Sequence, residues 1–293
     1  MNKVKFFTLF LISMFFLSAI TTAMEWPLSD GELVHNFGFN NRGKPVLGTV
    51  FEGEGEVNAA GSGRIIFSST DNNNAASRLP FTLGSWTAID HENGLVSIYS
   101  RYDDINGGEN IPTYIEKGQA IASLGSSGWS EKKGLYFILF DRKERRWINP
   151  SLVISPFDDS SSPQISGIQL RGANGRVIES SQLRNLSQGR YSIEVNASDI
   201  LTETNRLPLA PHRIICSVNG EEVGVLSFDT ISARGGILMV NRNSLMPAAR
   251  IYGPYPFFEV AEVQLNRGQV LLEIIVLDIA GNSRSSLLRL VVE

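Results

Sequence analysis

Cysteine is almost missing from this chain of 293 residues: Cys216 is the single one. No internal disulfide can form, so cohesion has to come from buried apolar surface. Thiolate catalysis needs a nearby base, which the sequence does not suggest for Cys216 in the alternating stretch Arg213-Ile214-Ile215-Cys216-Ser217-Val218. Cys216 therefore reads as a small buried hydrophobe on a strand. Histidine is nearly as scarce, with only His35, His91 and His212. Positive charge is in deficit, the formal net charge being −4. The run Arg142-Lys143-Glu144-Arg145-Arg146 is too short to count as a basic patch, which argues against nucleic acid as a partner.

Long apolar runs are also rare. The one at the start extends from Phe6 to Ile20, follows Lys3 and Lys5, and gives way to Thr21-Thr22-Ala23. That order of charge, apolar run and small residues is the pattern of a signal peptide. The run is shorter than the ~20 residues of a spanning helix. Residues 1–23 are therefore expected to be an exported protein's signal, cut after Ala23, with no transmembrane segment in what remains. No cysteine follows the run, which argues against a lipid anchor. Losing Lys3 and Lys5 moves the net charge from −4 to −6.

What the chain does contain is a succession of short β-branched and aromatic runs between Gly, Asn, Asp and Ser turns. Gly63-Arg64-Ile65-Ile66-Phe67, Leu95-Val96-Ser97-Ile98-Tyr99, Leu135 to Phe140 and Leu271 to Leu277 are examples. They predict strands, and no stretch after the signal sustains a helical period. The fold class is all-β. A break is expected at Ser155-Pro156-Phe157-Asp158-Asp159-Ser160-Ser161-Ser162-Pro163, where prolines bracket an acidic, Ser-rich run that cannot extend a ladder. The organisation is then a first domain at 24–155, a linker at 156–163 and a second domain at 164–293. Asp71 to Ser77 reads as a long surface loop within the first domain.

Within the first domain the motifs occur in a telling order. Phe37-Gly38 is followed by Gly48, and then by Val57-Asn58-Ala59-Ala60 with Gly63-Arg64-Ile65. Ile89-Asp90-His91-Glu92-Asn93-Gly94 precedes Ser97-Ile98-Tyr99-Ser100-Arg101-Tyr102. Lys117 to Ala122 and Leu124 to Gly128 form paired glycine turns, and Leu135-Tyr136-Phe137 and Ile148-Asn149-Pro150 complete the series. From Phe37 to Pro150 this resembles the LytM or lysostaphin-type zinc peptidases of peptidoglycan, whose domain is an open β-sheet or half-barrel. The resemblance implies zinc held by the His and Asp of H-x-x-x-D and by the second His of H-x-H.

The departures fall on the chemistry. Those ligand positions carry Val46, Val50 and Tyr136, the first His of H-x-H falls on Gly134, and the assisting His of Y-x-H falls on Arg101. Valine offers no lone pair to a metal, and without a metal nothing lowers the pKa of a bound water to about 7. The expectation is thus no catalytic residue, no metal and no cofactor. In its place stands a groove of Val46, Val50, Arg101 and Tyr136, more apolar than a hydrated metal cleft. A site built from His35, His91, Glu52 or Asp90 is conceivable, although spacing predicts no convergence among them.

The second domain closes on Asp278-Ile279-Ala280-Gly281-Asn282, and Leu186 to Val195 ends in an alternating strand. Both features resemble bacterial immunoglobulin-like modules, which implies a β-sandwich. Tyr252-Gly253-Pro254-Tyr255-Pro256-Phe257-Phe258 reads first as a loop packed over a sandwich end. Three functions remain open. The resemblance to inactive members implies an envelope regulator that binds a cell-wall hydrolase such as an amidase. The alternatives are a zinc endopeptidase with atypical ligands, or a structural protein that binds peptidoglycan or another glycan.

Overall fold

The structure, a computed structural model, describes residues 24–70, 81–103, 112–128, 130–182, 185–202 and 207–293. The expected signal segment and the loop at 71–77 lie outside the described residues. Strands dominate, as the turn-bounded runs require, and among the described residues the one α-helix is Ala248–Tyr252. None of the described helices is long and apolar enough to cross a membrane.

The first domain is built on the strand Gly134–Asp141. Successive side chains of a strand point to opposite faces. Leu135, Phe137 and Leu139 accordingly enter a core with Phe51, Ile89 and Tyr99, and Tyr136 faces the other way. Leu95–Ser100, Trp86–Asp90, Gly63–Ser69 and Tyr114–Ile115 follow in order on one side. The other side is shared between two strands. Thr49–Glu52 pairs with Gly134 to Phe137, Arg146–Ile148 pairs with Leu139 to Asp141, and Glu32–His35 lies outside Thr49–Glu52. Gly48 is needed where these strands meet, because a Cβ there would fall 2.2 Å from the Phe137 carbonyl oxygen.

The second domain is two sheets facing across one core. Val177–Glu179, Gln164–Gly172, Gly189–Ser198 and Phe258–Leu265 form one sheet. Arg213–Val218, Glu221–Arg234, Gly268–Leu277 and Ser283–Val292 belong to the other. Leu170, Ile193 and Val260 from the first meet Ile214, Leu226 and Ile274 from the second. Cys216 is in that core, and burial pushes its thiol up to about 12.

The two parts are not simply tethered. Arg146–Ile148 pairs with Glu221–Arg234, so the sheet of the first part continues into the second through a backbone ladder. Phe37 is fully buried in the second core, and the Tyr252 hydroxyl donates to the Gly38 carbonyl over 2.8 Å. In return Leu209 enters the first core. The segment 156–163 forms no strand, as its prolines require, yet it is anchored at its start and near its end. Phe157 stacks on Trp26 at 4.6 Å, Trp26 Nε1–H donates to the Ser155 carbonyl, and Ser161 is buried.

Candidate functional site

One cross-strand row forms the floor of a cleft on the face of the first sheet away from its core. His35 is opposite Val50, Val50 is opposite Tyr136, and Tyr136 is opposite Ser100. Directly paired residues share a face, so His35, Val50 and Tyr136 are brought together although 101 positions separate the first from the last. Arg101, next to Ser100, reaches over this row. Its guanidinium carbon lies 5.2 Å from the centre of the Tyr136 ring, within cation–π range. The cleft has a volume of about 600 Å³ and is lined by all four groove residues expected from the sequence, Val46, Val50, Arg101 and Tyr136. His35 and Glu52 line it as well. His91 and Asp90 do not: His91 lies at a separate depression beside Met24 and Tyr114, and Asp90 is paired with Arg142.

Each cleft residue is held by something identifiable. The Tyr136 hydroxyl accepts from Leu47 N–H at 3.0 Å, and burial raises its pKa above the usual phenol range. The phenolic proton is therefore retained and available to a ligand. Arg101 has φ +73°, in the left-handed region that a non-glycine residue seldom occupies. Its N–H is shared between the carbonyls of Leu83 and Ser85, at 2.9 and 3.0 Å, which fixes that backbone. Its Nε is buried without a hydrogen-bond partner. Burial lowers its pKa, but a guanidinium stays charged at any physiological pH. Among the described residues no carboxylate forms an ion pair with Arg101; the carboxylates that share the cleft are Glu52, which is tied to Lys132, and Glu131 at the rim. His35 stacks on Phe39 at 4.2 Å, and burial lowers its pKa against the opposing effects of the Val34 backbone and Glu52.

The donor set does not fit zinc. Val46 and Val50 stand where two ligands are implied, and the oxygen of Tyr136 is a protonated phenol already accepting from Leu47. His35, Glu52 and Glu131 are the remaining donors of the lining; Glu52 is tied to Lys132 at 2.7 Å, and among the described residues the three do not converge on one point. A zinc centre needs three or four nitrogen, sulfur or carboxylate ligands around one point.

Sequence reasoning missed the rim. Lys44, Glu131 and Lys132 border the cleft, and as surface charges in turns they carried no motif. His91 is a structural group: its Nδ1 bonds the Ser62 carbonyl at 2.9 Å and its Nε2 bonds Ser97 Oγ at 2.8 Å.

This open, all-β sheet with a cleft on its outer face defines the class of the first domain. Residues 46–150 match the model of peptidase family M23, and a second model matches residues 162–293. The N-terminal part of the chain thus carries an M23 peptidase-like domain. No curated protein matches the chain in sequence. Among solved structures, the catalytic domain of the prophage-encoded M23 protein EnpA from Enterococcus faecalis is similar at 18% identity. That match covers 44% of this chain and 95% of that one, with a TM-score of 0.36. The SpoIIQ–SpoIIIAH pore-forming complex gives 17% identity, 45% and 90% coverage and a TM-score of 0.36. A zinc-containing peptidase from Vibrio cholerae gives 20% identity, 43% and 39% coverage and a TM-score of 0.35.

Proposed function

We propose that the protein is a non-catalytic, exported component of the cell envelope whose M23-type cleft binds a carboxylate-bearing peptide. Val46, Val50 and Tyr136 leave no metal centre to activate water, and the apolar walls they provide suit a chain segment better than a hydrated ion. Arg101 carries the reading. A charge held in a strained backbone conformation over an aromatic face, with an unpartnered Nε and no ion pair among the described residues, is arranged for an anionic group that arrives from outside. The tyrosine face and valines would supply affinity and the single charge would set register.

Two sources offer that chemistry: an acidic segment of a cell-wall hydrolase, such as an amidase, or the stem peptides of peptidoglycan. A regulator of the hydrolase is the reading favoured here, since a cleft of about 600 Å³ has room for several side chains. Export rests on residues 1–23, with periplasm or cell surface as the destination. The test is calorimetric binding of soluble peptidoglycan fragments and of an envelope amidase to wild type and to Arg101→Glu and Tyr136→Ala. Each variant should lose about 1–2 kcal/mol of binding to the true partner. If both keep wild-type affinity for whichever ligand binds, the cleft is not the binding surface.

A further inference from the structure

Three carboxylates from distant parts of the chain converge where the connector meets the second domain. Asp159 lies in the connector, Asp199 directly follows the strand Gly189–Ser198, and Asp278 directly follows Gly268–Leu277. One oxygen from each lies within 4.8 Å of the others. Asp199 and Asp278 are buried, with relative exposures of 5% and 2%. Each Oδ1 is fixed by a backbone N–H: Ser161 for Asp159, Ile200 for Asp199 and Asn282 for Asp278. The other oxygens of Asp159 and Asp278 are shut off from solvent and have no hydrogen-bond partner.

Such an arrangement is costly as it stands. A buried carboxylate is normally paired, neutralised or bound to a metal, and an acceptor left buried without a donor costs about 1–3 kcal/mol. No lysine, arginine or histidine among the described residues pairs with any of the three. Their mutual repulsion and burial push Asp199 up to about 8, desolvation being the larger cause.

We propose that Asp159, Asp199 and Asp278 form a binding site for a hard divalent cation, calcium by size, which fastens the connector to the second domain. Oxygen-only donors select calcium or magnesium over zinc. Calcium–oxygen distances of about 2.3–2.6 Å place oxygens on one ion up to about 5 Å apart and tolerate irregular geometry, whereas magnesium demands a tighter octahedron. Backbone carbonyls and water would complete the shell. The three ligands come from the connector and from two strand ends, so occupation joins segments that the chain order keeps far apart.

The test uses the purified protein stripped with a chelator and titrated with calcium chloride, then with magnesium chloride, by calorimetry and by thermal unfolding. One calcium ion per chain is expected, with a dissociation constant of about 10⁻⁵–10⁻³ M and weaker magnesium binding. The midpoint of unfolding should rise with calcium, and cleavage of the connector by added protease should slow. Asp278→Asn and Asp199→Asn should weaken calcium binding at least tenfold and abolish both responses. Asp159→Asn, at a half-buried position, provides the same comparison if the buried variants fail to fold. Wild-type protein that gives neither heat nor a calcium-dependent midpoint overturns the proposal, as does a variant that binds calcium like wild type. Variants more stable than a calcium-indifferent wild type would show that the cluster is held by a proton.

Discussion

Arg101 places its guanidinium 5.2 Å from the centre of the Tyr136 ring while its own backbone sits at φ +73°. The left-handed conformation costs about 1–3 kcal/mol at a non-glycine residue. Glycine there would remove that strain, lose a cation–π contact of about 0.5–1 kcal/mol and add a backbone entropy cost of about 0.5–1 kcal/mol. Arg101→Gly should therefore leave stability within about 1 kcal/mol of wild type while binding of the anionic partner falls tenfold or more. Chemical denaturation alongside calorimetry checks both halves. A loss of stability of several kcal/mol with binding intact would make Arg101 a structural filler.

Gly38 sits at φ +82°, and a Cβ there would lie 2.6 Å from Phe228 Cδ1. It also offers its carbonyl to the Tyr252 hydroxyl. Gly38→Ala should destabilise by about 1–3 kcal/mol through overpacking alone. Tyr252→Phe should cost about 1–3 kcal/mol, because it leaves a buried acceptor without its donor. Since Phe37 and Gly38 belong to the chain of one domain and the core of the other, urea unfolding should show one transition that moves as a whole. A second transition that stays fixed in either variant would show two independent units.

Limited proteolysis probes the same junction. Asp158 and Ser160 are exposed within a segment that makes no ladder, so the connector should be nicked early. The two pieces should then elute together under native conditions, held by the Ile148–Thr230 ladder and by Phe37. Separate elution of two folded fragments would contradict the continuous sheet.

His91 sets a pH dependence of defined sign. Burial lowers its pKa, against the opposing effects of the Ser62 carbonyl and Asp90, and His35 shifts in the same direction. A depressed folded-state pKa means that the neutral imidazole is preferred. Its contribution is present above the unfolded value of about 6.5 and is lost as pH falls through the folded value. Unfolding free energy should therefore decline on acidification from pH 7 to 5, and His91→Gln should show a shallower decline. An unchanged slope in the variant would exclude His91 as a source.

Much of this was legible in the sequence because strands have a two-residue period. The β-branched and aromatic content of Leu135 to Phe140 told of a strand, the alternation in Arg213 to Val218 told that Cys216 is buried, and the glycine spacing around Gly48 and Gly125 carried the family resemblance. Val46, Val50, Arg101 and Tyr136 were picked out by their places in motifs; the sheet register sets Val50 opposite Tyr136, and Val46 and Arg101, from the segments beside the strands, line the same cleft. What stayed hidden depends on pairing between distant segments. Nothing near Arg146 announces that its strand will meet Thr230, and the Ser/Asp/Pro composition of 156–163 speaks of missing ladder bonds but not of Phe157 stacking on Trp26. The convergence of Asp159, Asp199 and Asp278 has the same origin, since no spacing along the chain relates them.

A non-catalytic M23-type cleft, as proposed, should hold no metal centre and perform no hydrolysis. The deciding measurement is elemental analysis of the purified protein, paired with a peptidoglycan hydrolysis assay in the presence of added zinc. No stoichiometric zinc and no release of peptide fragments are expected, because Val46, Val50 and Tyr136 occupy the implied ligand positions. One tightly bound zinc per chain, with hydrolysis that disappears on chelation and returns with zinc, would contradict this expectation.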